Sequence, residues 1–168
     1  ERQHWGPLER LTSDPLPDIN PRLAVDGSGA FAVVWQAFRG TASQIHLKRF
    51  DGEKWLPETV EVTRVAANHW EPAVSLDSRG TAWVAYDSYR NGTYDVFLTP
   101  VRADGVGAES TVAATPRMEA RPTVAADSAG RIWVAWEEGQ PNWGKDNGYV
   151  IRQRQPGVPL GGVRTVKI

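Results

Sequence analysis

Pro72-Ala73-Val74-Ser75-Leu76-Asp77-Ser78-Arg79-Gly80, leading to Val84-Ala85-Tyr86, is the stretch whose reading decides the fold. The same pattern stands at Pro21-Arg22-Leu23-Ala24-Val25-Asp26-Gly27-Ser28-Gly29 before Val33-Val34-Trp35. It stands again at Pro122-Thr123-Val124-Ala125-Ala126-Asp127-Ser128-Ala129-Gly130 before Val134-Ala135-Trp136. Pro, Asp, Gly and the aromatic recur together, 51 and then 50 residues apart. A fixed period of that size marks a repeat architecture, with one supersecondary unit per copy. Asp-x-x-Gly suits a type I turn, so a strand should run into it and another out of it.

The rest of each copy also repeats. Ile45-His46-Leu47-Lys48-Arg49, Val96-Phe97-Leu98 and Val150-Ile151-Arg152 are β-rich runs. Each precedes a Gly turn, at Asp51-Gly52, Asp104-Gly105 or Pro156-Gly157. A last run follows in residues 58–63, 109–112 and 163–166. The unit therefore has four antiparallel strands, named A to D along the chain. The repeats cover approximately 13–63, 64–114 and 115–168 of a single domain 1–168, and an extra D-like strand is expected at 5–12. No segment keeps a 3.6-residue apolar period between caps, so almost no helix is expected.

Strand B carries the packing information. Phe31, Val33 and Trp35 share one face, as do Ala82, Val84 and Tyr86, and Ile132, Val134 and Trp136. The opposite face holds Ala32 and Val34, Trp83 and Ala85, Trp133 and Ala135. A sheet with one wet face would alternate with polar residues. Apolar residues on both faces require neighbours on both sides. The expected fold is all-β, built of β-propeller blades.

The motif itself resembles known families. Pro-x-x-x-x-Asp-x-x-Gly before an apolar run ending in Trp or Tyr resembles the bacterial propeller repeats of the TolB-like class. Residues 75–83 also resemble the Asp box of sialidase-like propellers, with one extra residue before the Gly. The resemblance spans nearly the whole chain and rests on turn and core residues, so it implies a fold more than an activity. It also implies an exported bacterial protein, periplasmic or secreted. A sialidase would need several arginines around a carboxylate and a Tyr nucleophile assisted by an acid. The sequence does not assign Arg39, Arg90, Arg121 and Tyr89 to those roles.

Closed propellers have about four to eight blades. Three repeats therefore read as a partial propeller whose further blades lie in a longer chain, or as half of a six-bladed ring closed by a homodimer. The chain starts at Glu1, not Met, which suggests a processed or excised chain. The other numbers exclude chemistry. The 168 residues carry 19 Lys plus Arg, 20 Asp plus Glu, a formal charge of −1 and no Cys. Near-neutrality argues against nucleic acid, and no apolar run is long enough for membrane insertion. The absence of Cys removes disulfides, thiolate metal sites and a Cys nucleophile. No cofactor motif is present.

Function is expected on the loops. The A–B and C–D connections are tight turns; the B–C and D–A loops differ between copies and share the other end of each blade. Candidate ligand-binding residues there are Phe38, Arg39, His69, Trp70, Glu71, Tyr89, Arg90, Asn91, Arg121, Trp143 and Lys145. Aromatics beside arginines suit a sugar or an anionic small molecule. The competing reading is that Phe38 and Tyr89 pack between blades while the arginines tie loops down. Gln36, Asp87 and Glu137 share one matched position after strand B, a polar ring near the axis. That ring suits a cation or partners for the nearby arginines, and no metal loop of the Asp-x-Asp-x-Asp type accompanies it. Asp26, Asp77 and Asp127 are read as turn formers, because their spacing to Gly explains them.

The leading functional reading is a non-catalytic module that binds a protein or a carbohydrate ligand on the long-loop face. The alternative is part of a glycosidase-like or sialidase-like hydrolase completed by missing blades or another domain, with Glu71, Asp87 and Glu137 as the carboxylates to test. A second alternative is a purely structural or assembly role.

Overall fold

The computed structural model describes residues 6–141 and 162–167, and every regular element among them is a β-strand. The first sheet contains β1 (Asp18–Val25), β2 (Phe31–Arg39), β3 (Ala42–Phe50) and β4 (Val60–Glu61), in that order. The second contains β5 (His69–Leu76), β6 (Ala82–Tyr89), β7 (Tyr94–Arg102), β8 (Gly105–Val106) and β9 (Ser110–Ala113). β8 and β9 both pair with β7. The third contains β10 (Glu119–Ala126), β11 (Ile132–Glu138) and β12 (Gly162–Lys167). All pairings are antiparallel.

The repeated Asp builds the A–B turn, as its spacing implied. Asp77 Oδ1 accepts the amides of Arg79 and Thr81, both at 2.9 Å. Asp26 and Asp127 accept the matched pairs, Ser28 and Ala30, then Ala129 and Arg131. Gly80 closes the turn on the Asp77 carbonyl at 2.9 Å with a φ of 75°, a conformation that favours glycine. The second Asp77 oxygen takes the Trp83 indole N–H at 3.0 Å, and Asp127 takes that of Trp133 at 3.0 Å. Burial opposes ionisation of Asp77, but the Trp83, Thr81 and Arg79 donors outweigh it and hold the carboxyl below its usual range.

The sheets stack face to face. Ala32, Val34, Ile45, Leu47 and Val62 of the first pack against Ala82, Val84, Tyr86, Phe97 and Val101 of the second. Ala85, Val96 and Leu98, on the other face of the second sheet, pack against Val124, Ile132 and Val134 of the third. The middle sheet is thus buried on both faces, as the apolar pattern of strand B requires. The inner strand β5 lies between β1 and β10, and Ser75 Oγ accepts the Ala126 amide at 2.9 Å. The outer faces have no such partner among the described residues. Leu23 and Val25 are exposed on the first sheet, and Trp133 is 41% exposed on the third.

Two strand assignments change. Residues 162–167, expected as a fourth strand, pair directly with β11, with Glu138 opposite Gly162 and Trp133 opposite Lys167. They fill the place expected for residues 150–152, which lie outside the described residues. An open strand edge accepts any β-branched run, so composition does not separate the third from the fourth position. Of the extra strand expected at 5–12, Trp5 lies outside the described residues, and residues 6–12 join no ladder among them. Pro7 lacks an N–H donor for a ladder. Leu8 stays fully exposed, and the contact made there runs from Trp55 Nε1 to Glu9 Oε2 at 3.2 Å.

Candidate functional site

The starts of β1, β5 and β10 and the ends of β2, β6 and β11 share one end of the molecule, with Asp18 opposite Ala37, His69 opposite Ser88 and Glu119 opposite Glu138. Each inner strand breaks register just inside that end, between Ile19 and Arg22, Trp70 and Ala73, Ala120 and Thr123. Such bulges re-aim side chains. Asn20, Glu71 and Arg121 sit in the three bulges with φ of 52°, 49° and 52°. They are the non-glycine residues with positive φ among the described residues. Each precedes a proline, where extended backbone is the norm. The left-handed conformation costs an L-residue about 1–2 kcal/mol relative to glycine. Three copies carry that cost at one matched position, yet the side chains differ: an amide, a carboxylate and a guanidinium.

The polar ring from strand B lies beside these residues. Gln36, Asp87 and Glu137 pair with Ile19, Trp70 and Ala120, the residues just before the bulges. Asn20 Nδ2 donates to Gln36 Oε1 at 3.2 Å, and Arg121 Nη1 donates to Glu137 Oε2 at 2.7 Å. The matched positions in the middle sheet hold two carboxylates, half-buried Glu71 and fully buried Asp87. Among the described residues no three His, Asp or Glu side chains gather closely enough to hold a metal ion.

Aromatic surface adjoins the carboxylates. Trp70 tilts against Tyr94 with ring centroids 5.4 Å apart, and Tyr89 meets Tyr94 edge-on at 5.2 Å. Tyr94, Met118 and Ala120 form a small core with Trp70, so Trp70 joins the second and third sheets. Tyr89 remains 49% exposed at the rim.

The two matched arginines are occupied. Arg39 pairs with Asp14 at 3.3 Å and Asp18 at 2.9 Å, and donates to its neighbour's carbonyl, Phe38 O, at 2.6 Å. Phe38 is half-buried. Arg90 grips Glu109 with two bonds of 2.6 and 2.8 Å and lies 3.9 Å over the Phe97 ring. Tyr86 Oη donates to Glu109 at 2.5 Å. Burial works against the Glu109 carboxylate, but Arg90 and Tyr86 hold its pKa down. His69 is fully buried beside Arg90, 3.4 Å from Nη2, with Nε2 3.1 Å from Val65 O. Burial, opposed by that carbonyl contact and aided by Arg90, drives its pKa down to about 4. Asn91 bonds Asp95 at 3.3 Å. Arg39, Arg90, His69 and Asn91 are thus loop anchors, whereas Glu71, Arg121 and Tyr89 border the axial end. Trp143 and Lys145 lie outside the described residues. Sequence reasoning missed Asn20 and Glu109. The signal for Asn20 was its place one residue before the repeated Pro, shared with Glu71 and Arg121.

No protein-family model and no curated protein matches the chain. Solved structures do. The Hadza microbial sialidase Hz136 superposes with a TM-score of 0.59 and 14% identity, over 79% of this chain and 36% of its own. The α-L-arabinofuranosidase from Lactobacillus brevis gives 0.58 and 12%, over 92% and 54%. The GH43_1 enzyme from Xanthomonas citri complexed with xylotriose gives 0.58 and 18%, over 92% and 51%. The chain thus spans between about a third and about half the length of these structures. What they share with it is the fold, and the three stacked sheets are blades of a β-propeller of the kind found in sialidases and family-43 glycoside hydrolases.

Proposed function

We propose that the chain belongs to a carbohydrate-processing propeller and contributes the axial end of its sugar site. The observation that carries this reading is the set of three left-handed residues, Asn20, Glu71 and Arg121, one at the same bulge of each inner strand. Glycine would meet the backbone requirement at lower cost. Three larger polar residues of different chemistry stand there instead, which is the pattern of strain held for a site. Carboxylate, amide and guanidinium groups bond sugar hydroxyls, and the exposed Tyr89 ring offers a stacking face. The middle blade is unlike the others in pairing Glu71 with Asp87. Acid–base cleavage of a glycosidic bond uses two carboxylates in different environments, and Glu71 and Asp87 differ in burial. That difference favours the hydrolase reading over a module that only binds. The fold neighbours support the same direction, since they are a sialidase, an α-L-arabinofuranosidase and a GH43_1 enzyme.

A glycan array carrying pentosyl and sialylated oligosaccharides tests it, with Glu71→Gln and Arg121→Ala beside the parent protein. Binding by the parent and about tenfold weaker binding by each variant is the expected result. Unchanged binding in both variants refutes the axial site. Release of a chromophore from aryl glycosides, lost in Glu71→Gln, separates cleavage from binding alone.

A further inference from the structure

At the opposite, hairpin end, a cleft of ≈ 820 Å³ opens between the first and second sheets. Leu47, Leu56 and Val60 give it an apolar wall, and Arg49, Arg79 and Arg102 line it. Arg49 reaches across from β3 to the second sheet, where Nη1 donates to Gly80 O at 3.0 Å and Nη2 to Val101 O at 2.6 Å. Both acceptors are neutral carbonyls. Burial lowers its pKa, with no acidic neighbour to restore it. Arg79 has a side chain that is 79% exposed, and its carboxylate neighbour Asp77 is 3.8 Å away and already engaged by two amides and an indole. Arg102 forms no ion pair among the described residues; its Nη1 lies over Gly107, where a Cβ would come within 2.8 Å. Gly107 therefore leaves room for that guanidinium beside the cleft. Glu58 and Asp104 also line the cleft, and neither pairs with any of the three arginines.

We propose that this cleft binds an oxyanion-bearing ligand, with a sulfate, phosphate or carboxylate group held by Arg49, Arg79 and Arg102. Guanidinium groups present planar forks of N–H donors that match such groups two bonds at a time. Arg49 spends one bond on each terminal nitrogen and keeps its remaining donors. Arg49 is half-buried and lacks a counter-charge, so water screens it least and it gains most from an anion, while the exposed Arg79 and Arg102 add donors from the rim. The volume is in the range of small organic ligands and far exceeds a bare ion, and the apolar wall suits the body of an anionic sugar. The site is separate from the axial end and does not depend on the function proposed there.

Intrinsic tryptophan fluorescence or calorimetry at constant ionic strength tests this, with sodium sulfate, inorganic phosphate, glucuronate and glucose 6-sulfate as probes. Saturable binding of at least one probe is expected, weakened about tenfold or more in the double variant Arg79→Ala/Arg102→Ala. Those changes leave the two interblade bonds of Arg49 in place. If the double variant melts early, Arg79→Ala alone gives the same reading from an exposed side chain. Tighter binding of glucose 6-sulfate than of sulfate assigns the cleft to anionic sugars; equal binding assigns it to the free ion, and the oxyanion site stands in both cases. No saturation by any probe, or equal affinity in the variants, overturns it.

Discussion

The two ends of each blade are built on opposite plans. At the hairpin end the three copies use the same side chain for the same job: Asp26, Asp77 and Asp127 each close a turn on two amides. At the bulge of the loop end the copies share a backbone conformation, and Asn20, Glu71 and Arg121 fill it differently. Where chemistry repeats with geometry, construction of the blade explains both. Where geometry repeats and chemistry diverges, the blade needs the geometry and something else selects the side chain.

The loop end of the middle blade is fastened by charge. Glu109→Ala would strand the Arg90 guanidinium and the Tyr86 hydroxyl inside the protein. A loss of about 3 kcal/mol in urea denaturation is expected, held below the full buried-pair value because the Glu109 side of the pair is partly open to solvent. A loss near zero would mean that loops at this end need no anchor, and the contrast between the ends would fail.

His69 gives the same end a pH dependence. Its folded pKa, near 4, lies below the usual value of 6.5. The neutral ring is the buried form, so the unfolded chain binds the proton more readily. Stability is full above pH 6.5 and falls as the pH drops toward 4, by on the order of 3 kcal/mol. Thermal melts across that window should show the slope, and His69→Gln should flatten it.

At the hairpin end, Asp77→Ala removes two turn bonds and leaves the Trp83 indole without its acceptor. The expected cost is about 2 kcal/mol. Asp26→Ala should cost less, since Ala32 replaces the indole at the matched position. Equal losses would show that the turn alone matters.

The smallest effect sharpens the comparison most. Glu71→Gly should stabilise the protein by about 1 kcal/mol by relieving the left-handed backbone. It should also lose carbohydrate binding on the array. A stability gain with binding intact would leave the strain without a purpose.

Much of the fold was legible because local chemistry and packing agree along strand B. Val84 and Ala85 face opposite neighbours, and their alternation is written in consecutive residues. The third sheet was harder. Val163, Thr165 and Val166 satisfy a third or a fourth strand equally, and only the pairing with β11 distinguishes them. The left-handed residues were hidden for a stronger reason: Asn, Glu and Arg before proline all point to extended backbone. Arg90 was legible as a charged loop residue, but its partner Glu109 stands 19 positions away on another connection. No spacing rule joins such a pair.

One property of the stack reaches beyond a single molecule. Positions 32 and 83 look toward the next blade, and positions 84 and 134 toward the previous one. The two interfaces therefore run with the same polarity, so a stack built on them can lengthen in one sense without a new interface having to evolve. Duplication of a single unit in the gene would produce a working neighbour at once. The number of blades in such a protein becomes a matter of copy number, while the chemistry at the loop end of each copy stays free to diverge.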